Sequence, residues 1–256
     1  MKKIKLIHEI RAVKNKKELA SIVEAQRISE KVLRNVLPKL KIGITEIEIA
    51  NFIKKSFIKF GAPVLSFLPI VAFGKNTANI HHLPNKTKLK KGNAIMLDFG
   101  CTVNGYCSDM TRTFFLGQPN KKQEKIYLKV LEAQNRAIQK IQIGEKRAGV
   151  IDKIARNFLA KNFKNNPTSA RKGSPIRDGF PHGLGHGVGA VIHEWPNFKP
   201  KSEDILPAGC VMTVEPGIYL KNFGGVRIED MVLITQNGCK NLTDFPKDLK
   251  SVTLEI

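Results

Sequence analysis

An α+β fold in one domain is what this sequence predicts, and three observations carry the expectation. Apolar residues recur at three-to-four spacing in four segments, two before residue 61 and two between 121 and 163. Between those pairs stands an Asn-Gly dipeptide flanked by apolar, β-prone runs, an antiparallel hairpin signal over about 93–116. The last third holds the short β-rich runs "CVMTVEPGIYL" and "GGVRIEDMVLIT". Helix pair, hairpin, helix pair and strands make a two-half layout, and helices mixed with antiparallel hairpins belong to the α+β class. The domain is expected to fill residues 1–256, with 1–14 as an amino-terminal arm.

Each element has a local cause. Asn15 followed by Glu18 reads as a capping box, after which Ala25, Ile28, Val32 and Val36 form one stripe until Pro38 stops the helix. Thr45 with Glu48 opens a second helix, striped by Ile49, Ile53 and Phe57 and closed by Gly61. "LPIVAFG" reads as a strand, followed by a loop around "NTANIHHLPN". Helices are expected near 121–141 and 148–163. The stretch "KNNPTSARKGSPIRDG" is rich in turn-forming and basic residues and reads as a mobile loop.

Bulk composition excludes several classes. With 42% hydrophobic and 25% charged residues the chain is of the soluble globular type. No run of eighteen uncharged apolar residues is present, so no membrane association is expected. The basic start "MKKIKLIHEIRAVKNKKELA" has no apolar stretch of signal-peptide length, and a cytoplasmic location is expected. The net charge of +21 comes from lysine spread along the whole chain, which fits a solvated surface better than a nucleic-acid footprint. Cysteines 101, 107, 210 and 239 show no CxxC spacing. If Asn104 and Gly105 form a two-residue turn, facing residues sum to 209. Cys101 then faces Ser108 and Cys107 faces Thr102, on opposite sides of the hairpin, so free buried thiols are expected.

The same register decides the chemistry. Asp98 faces Thr111 and Gly100 faces Asp109, which places the two aspartates diagonally on one side with β-carbons ~5–8 Å apart. Among Met96, Leu97, Phe99, Phe114 and Phe115, two such carboxylates would repel unless one takes up a proton or a cation sits between them. Further donors are at hand. "HGLGHGVGAVIHEWP" carries His182, His186 and His193 among glycines, and Glu215 and Glu229 each interrupt an apolar β-run. Two aspartates, two glutamates and a histidine make a mostly oxygen donor set, suited to two divalent ions of the Mn, Co, Fe or Zn kind.

These residues carry a resemblance. From about residue 12 to 250 the chain resembles the pita-bread metallopeptidases, which include methionyl aminopeptidases, Xaa-Pro aminopeptidases and prolidases. The family's metal ligands match Asp98 in "LDFG", Asp109 in "SDMTRT", His186 in "GHGVG", Glu215 in "VEPG" and Glu229 in "RIED". The resemblance implies a curved antiparallel sheet flanked by helices, built from two pseudo-symmetric halves. "HGLGH", "IHE", "GGVRIEDMVLIT" and the close spacing of the two glutamates are nearest the Xaa-Pro branch, without its amino-terminal domain. Ala190 stands where that branch's signature carries a larger aliphatic residue.

What the resemblance implies is an aminopeptidase that hydrolyses the first peptide bond of peptides with a free amino terminus, most simply of Xaa-Pro type. The alternatives are a methionyl aminopeptidase and, in another class, a non-enzymatic scaffold binding protein or nucleic acid. The site residues follow by resemblance. Glu215 is a ligand that also takes the proton of the attacking water, His193 faces the developing oxyanion, and His81 lies near the leaving amine. Of the two histidines in "IHHLP", His81 fits the family spacing of histidine, two residues, proline. Arg227 shares a strand face with Glu229 and is expected to orient a ligand carboxylate or the substrate. His182 and Glu194 are expected in supporting or purely structural roles. A monomer or homodimer is expected.

Overall fold

The structure, a computed structural model, describes residues 2–163 and 179–256. The expected mobile loop therefore lies outside the described residues apart from Gly179. The amino-terminal arm is a helix, α1 (Lys2–Ala12). Asn15 then accepts backbone N–H groups of Lys17 and Glu18 while Glu18 accepts Asn15 N at 2.7 Å, the reciprocal box that starts α2 (Lys16–Val36). Pro38 converts its end to a short 3-10 turn. A second box, Thr45 with Glu48, starts α3 (Glu46–Lys59). The strand expected at "LPIVAFG" is β1 (Ile70–Phe73), and it pairs antiparallel with β2 (Ala94–Phe99).

The hairpin takes the expected register. Asn104 and Gly105 both have positive φ, 49° and 81°, as a type I′ turn requires. Thr102 faces Cys107 across the short strands β3 (Thr102–Val103) and β4 (Tyr106–Cys107). Below them β2 pairs with β5 (Met110–Leu116), with Asp98 opposite Thr111. The ladder is interrupted between these two short pairings at Gly100, where any Cβ would collide with the Ser108 carbonyl. The four cysteines are free. Cys101, Cys107 and Cys210 are buried, and Cys239 is only half-buried, contrary to the expectation for all four.

The second half repeats the plan. Asn120 and Gln123 cap α4 (Lys121–Gln142), which packs on α5 (Ala148–Asn162). Then come β6 (Gly185–Gly187), β7 (Glu194–Phe198), β8 (Val211–Val214), β9 (Gly217–Leu220), β10 (Gly224–Arg227), β11 (Asp230–Ile234) and β12 (Cys239–Asn241). The final strand, β13 (Thr253–Leu254), returns to the first half and pairs parallel to β5, the one departure from antiparallel pairing among the named strands. Hydrogen bonding gives a four-stranded ladder β1-β2-β5-β13 and a five-stranded ladder β12-β11-β8-β6-β7, with β9-β10 as a ribbon. Helices α2 to α5 cover the sheets, and one large apolar cluster runs through both halves.

Threonine hydroxyls and backbone close the seam between the halves. Thr113 Oγ1 donates to Arg227 O at 2.9 Å and accepts Arg227 N at 3.1 Å; Glu229 N donates to Thr111 O at 3.1 Å. Gly225 N donates to Thr77 Oγ1 at 2.7 Å. Strand β5 is thus paired with β2 on one edge and tied to Arg227 and Glu229 through Thr113 and Thr111. Among the described residues no helix is long and apolar enough to cross a membrane.

Candidate metal centre

The seam delivers polar side chains from both halves into one cavity of about 430 Å³. Asp98 comes from the end of β2, and Asp109 from the irregular stretch just before β5. His186 sits on β6, Glu215 directly follows β8, and Glu229 lies in the link from β10 to β11. All five line the cavity, as do His81, His182, His193 and Arg227. Apolar walls are supplied by Phe67, Leu68, Ile70 and Ile80 among others.

The donors are close. His186 Nε2 lies 3.3 Å from Glu215 Oε1 and 3.6 Å from Asp109 Oδ2. Asp109, His186 and Glu229 each offer a ligand atom, all within 4.8 Å of one another. Asp98, Asp109 and Glu229 are buried. Arg227 meets Asp98 Oδ2 in a short charge-assisted bond, and its other donors go to Thr111 Oγ1 at 3.0 Å and Tyr219 Oη at 2.8 Å. Each nitrogen of Arg227 has one such partner, and Asp98 Oδ1 is left buried and without a partner among the described residues.

The titration behaviour records this imbalance. Burial, then the negative charges of Glu229, Asp98 and Glu215, push Asp109 well above the carboxylate range. Glu229 is raised well above its usual value by burial and by Glu215 and Asp98. Asp98 is also raised, by burial first, against the pull of Arg227. Burial acts in the same sense on Glu215, but the hydrogen bond and charge of His186 outweigh it and hold Glu215 at about 2. His186 is raised in turn, because Glu215 overcomes its desolvation. Four carboxylates against one arginine and one imidazolium is a site short of positive charge. An oxygen-rich donor set with an orphaned carboxylate oxygen fits hard divalent cations.

The supporting residues were partly legible. His82 is excluded from the cavity chemistry by its own partner: its Nε2 lies 2.7 Å from Glu46 Oε2, and Glu46 also accepts Phe73 N, Asn76 Nδ2 and Asn85 N. His81, its neighbour, is exposed at the cavity. His193 stands with its ring 4.3 Å from that of His186, and partial desolvation followed by the His186 charge lowers its pKa. His182 is tied to Gly183 O at 2.8 Å and to Tyr219 Oη at 2.9 Å, and burial holds it neutral with a pKa of about 4. Glu194 turns away from the cavity towards Arg11 and Lys14. Sequence reasoning missed Thr111, whose hydroxyl donates to Glu229 Oε2 at 2.6 Å, and Thr213, which donates to Glu215 Oε1 at 3.1 Å. Both stand two residues from an acidic ligand on a strand, which is the signal that could have found them. Tyr219 had no such signal.

Comparison with known proteins agrees with this geometry. Residues 20–236 match the model of metallopeptidase family M24. An uncharacterised peptidase of Staphylococcus haemolyticus is 41% identical over 245 residues, covering 94% of this chain and 65% of the relative. The Xaa-Pro dipeptidase of Pyrococcus furiosus is 39% identical over 244 residues, covering 95% and 66%. Among solved structures, an X-Pro aminopeptidase from Thermotoga maritima superposes with a TM-score of 0.86 at 32% identity, over 98% of this chain and 67% of that one. The curved, two-half pita-bread architecture is shared, and the chain spans about 65% of the length of the curated relatives it matches.

Proposed function

The chain belongs to metallopeptidase family M24, and from that premise we propose that it is a dinuclear-metal aminopeptidase acting on peptides with a free amino terminus, of Xaa-Pro type. The observation that carries the reading is the convergence of Asp98, Asp109, His186, Glu215 and Glu229 on one cavity, with Asp98 Oδ1 left without a partner among the described residues. The names of the relatives, Xaa-Pro dipeptidase and X-Pro aminopeptidase, favour the Xaa-Pro type over the methionyl type. The five residues would hold two ions drawn from Mn²⁺, Co²⁺, Fe²⁺ and Zn²⁺. What such ions supply is Lewis acidity and a water acidic enough to lose its proton near neutral pH.

The chain's own groups do the rest. Glu215 is ionised at neutral pH and is the acceptor for the proton of the attacking water. Neutral His193, projecting into the cavity beside His186, donates an N–H to the oxygen on which negative charge develops, a contact worth most in the transition state. His81, at the exposed rim, serves the departing amine. Arg227 holds Asp98 in one orientation, and Tyr219 and Thr111 hold Arg227. Phe67, Ile70 and Ile80 give the substrate an apolar wall beside the donors. Four free thiols support a reducing, cytoplasmic setting.

A peptide panel tests the proposal. Xaa-Pro peptides should be cleaved, Met-Ala peptides poorly, and a chelator should abolish turnover until Mn²⁺ or Co²⁺ is restored. Cleavage of Met-Ala peptides alone would sink the Xaa-Pro assignment, and chelator-resistant turnover would sink the metal chemistry.

A further inference from the structure

The loop that carries His193 is mostly exposed, with Ile192 packed on the apolar cluster of Val188 and Val211. Ala190, Val191 and His193 are exposed, and a second cavity of about 480 Å³ opens behind the loop, lined by His8, Arg11, Val191, His193 and Trp195 among others. One residue on, the situation reverses. The side chain of Glu194 is only 6% exposed, and its carboxylate receives three donors: Arg11 Nη2 at 2.5 Å, Lys14 Nζ at 3.1 Å and the Val191 N–H at 3.1 Å. Lys14, in the link between α1 and α2, is itself 1% exposed at its side chain and is fixed by its backbone N–H to Gly209 O at 2.9 Å. Gly189 completes the notch, since any Cβ there would collide with the Glu194 carboxylate. A buried carboxylate held by two cations and a backbone donor has one orientation open to it. Its bond to Val191 closes a tight ring over 191–194, and His193 stands inside that ring.

We propose that Arg11 and Lys14 are positioning residues for His193, acting through Glu194. The amino-terminal segment thereby belongs to the framework of the active site, although it touches neither the acidic cluster nor a substrate. The inference rests on the oxyanion role given to His193 above. Removing either cation leaves Glu194 underpaired, frees the 191–194 ring, and lets the histidine drift from the place where its N–H is needed.

The test pairs kinetics with amide hydrogen exchange of the metal-free protein, for Glu194→Gln, Lys14→Met, Arg11→Gln and Arg11→Lys. Glu194→Gln and Lys14→Met should lower kcat roughly 10–100-fold with KM within about threefold and bound metal unchanged. In the metal-free protein the Val191 amide should exchange roughly tenfold faster. Arg11 is 42% exposed at its side chain, so Arg11→Gln keeps the fold and should show the same pattern more weakly, with Arg11→Lys restoring most of it. Unchanged kcat across the set overturns the proposal, as does unchanged Val191 exchange. So does a loss of kcat that tracks a loss of bound metal, because the segment would then be general scaffold. If the unaltered protein cleaves no peptide, the metallopeptidase reading fails, and Val191 exchange alone then decides the clamp.

Discussion

Two buried ionic clusters lie back to back on strand β5, and they are opposites. On the cavity side, Asp98, Asp109, Glu215 and Glu229 share one arginine, Arg227, and one imidazole. Behind the strand, Asp230 alone receives both Arg112, at 2.7 Å, and Lys247. Arg112 also donates to the carbonyls of Thr111, Glu229 and Phe245, so both its terminal nitrogens are spent on the framework. The neighbours Glu229 and Asp230 point to opposite faces, and their titrations diverge. Glu229 is pushed well above its usual value, by burial first, whereas the pull of Arg112 and Lys247 on Asp230 overcomes its burial and lowers it. The back cluster is balanced in charge, its one carboxylate facing two cations, although Arg112 Nε is itself buried without a partner among the described residues. The front one has room for cations, and that difference separates a structural ion pair from a site.

The sharpest break between the clusters comes from single substitutions. Asp109→Asn should cost roughly ten thousandfold in kcat/KM while the metal-free protein loses no stability, as peptidase assays and urea melts would record. Arg112→Met should do the reverse to the fold, destabilising by about 3–5 kcal/mol in urea melts because Asp230 loses its principal partner. Should Asp109→Asn melt as early as Arg112→Met, the two clusters would not differ in kind. Next in size is ligand linkage. Divalent metal at a hundred times its Kd should stabilise the unaltered protein by about 2.7 kcal/mol, and Glu229→Gln by far less.

The smallest effect is the most diagnostic, because its sign differs between the clusters. Asp230 has a lowered folded pKa, so its stabilisation is present above the unfolded value of about 3.9 and is lost as pH falls through the folded value. Asp109 and Glu229 have raised folded values, so their contribution is present below the unfolded pKa and is lost as pH rises through the folded one. In metal-free protein, Asp230→Asn should therefore flatten the acid limb of Tm against pH. Asp109→Asn should instead flatten the decline towards neutral pH. Matching slopes for both variants would contradict the contrast.

How far the sequence could be read follows the same division. The turn at Asn104–Gly105 fixes a register in which residue numbers sum to 209, and that arithmetic already put Asp98 and Asp109 on one side. Two capping boxes marked their helices because the partners stand three residues apart, and a third, Asn120 with Gln123, went unread at the start of α4. Arg112 stayed hidden, since its partner Asp230 lies 118 residues away and an arginine in a strand reads first as exposed. Tyr219 was hidden because a tyrosine in a strand reads first as core, and nothing local shows that its hydroxyl meets His182 and Arg227. Glu194 was singled out as a supporting or structural residue, yet its tie to Arg11 crosses 183 residues and has no periodic trace. Local chemistry was legible, and pairings between distant segments were not.

The linker from β5 to α4, residues 117–120, joins the two halves, and it runs on the surface away from the cavity lining. Asp98 and Asp109 precede it; His186, Glu215 and Glu229 follow it. Under the proposed chemistry, ions that take donors from both sides act as a removable rivet, drawing together two pieces of chain that share no covalent link at the seam. With the backbone severed at that linker, cations would add their hold to the apolar core and the β5–β13 pairing that already join the pieces.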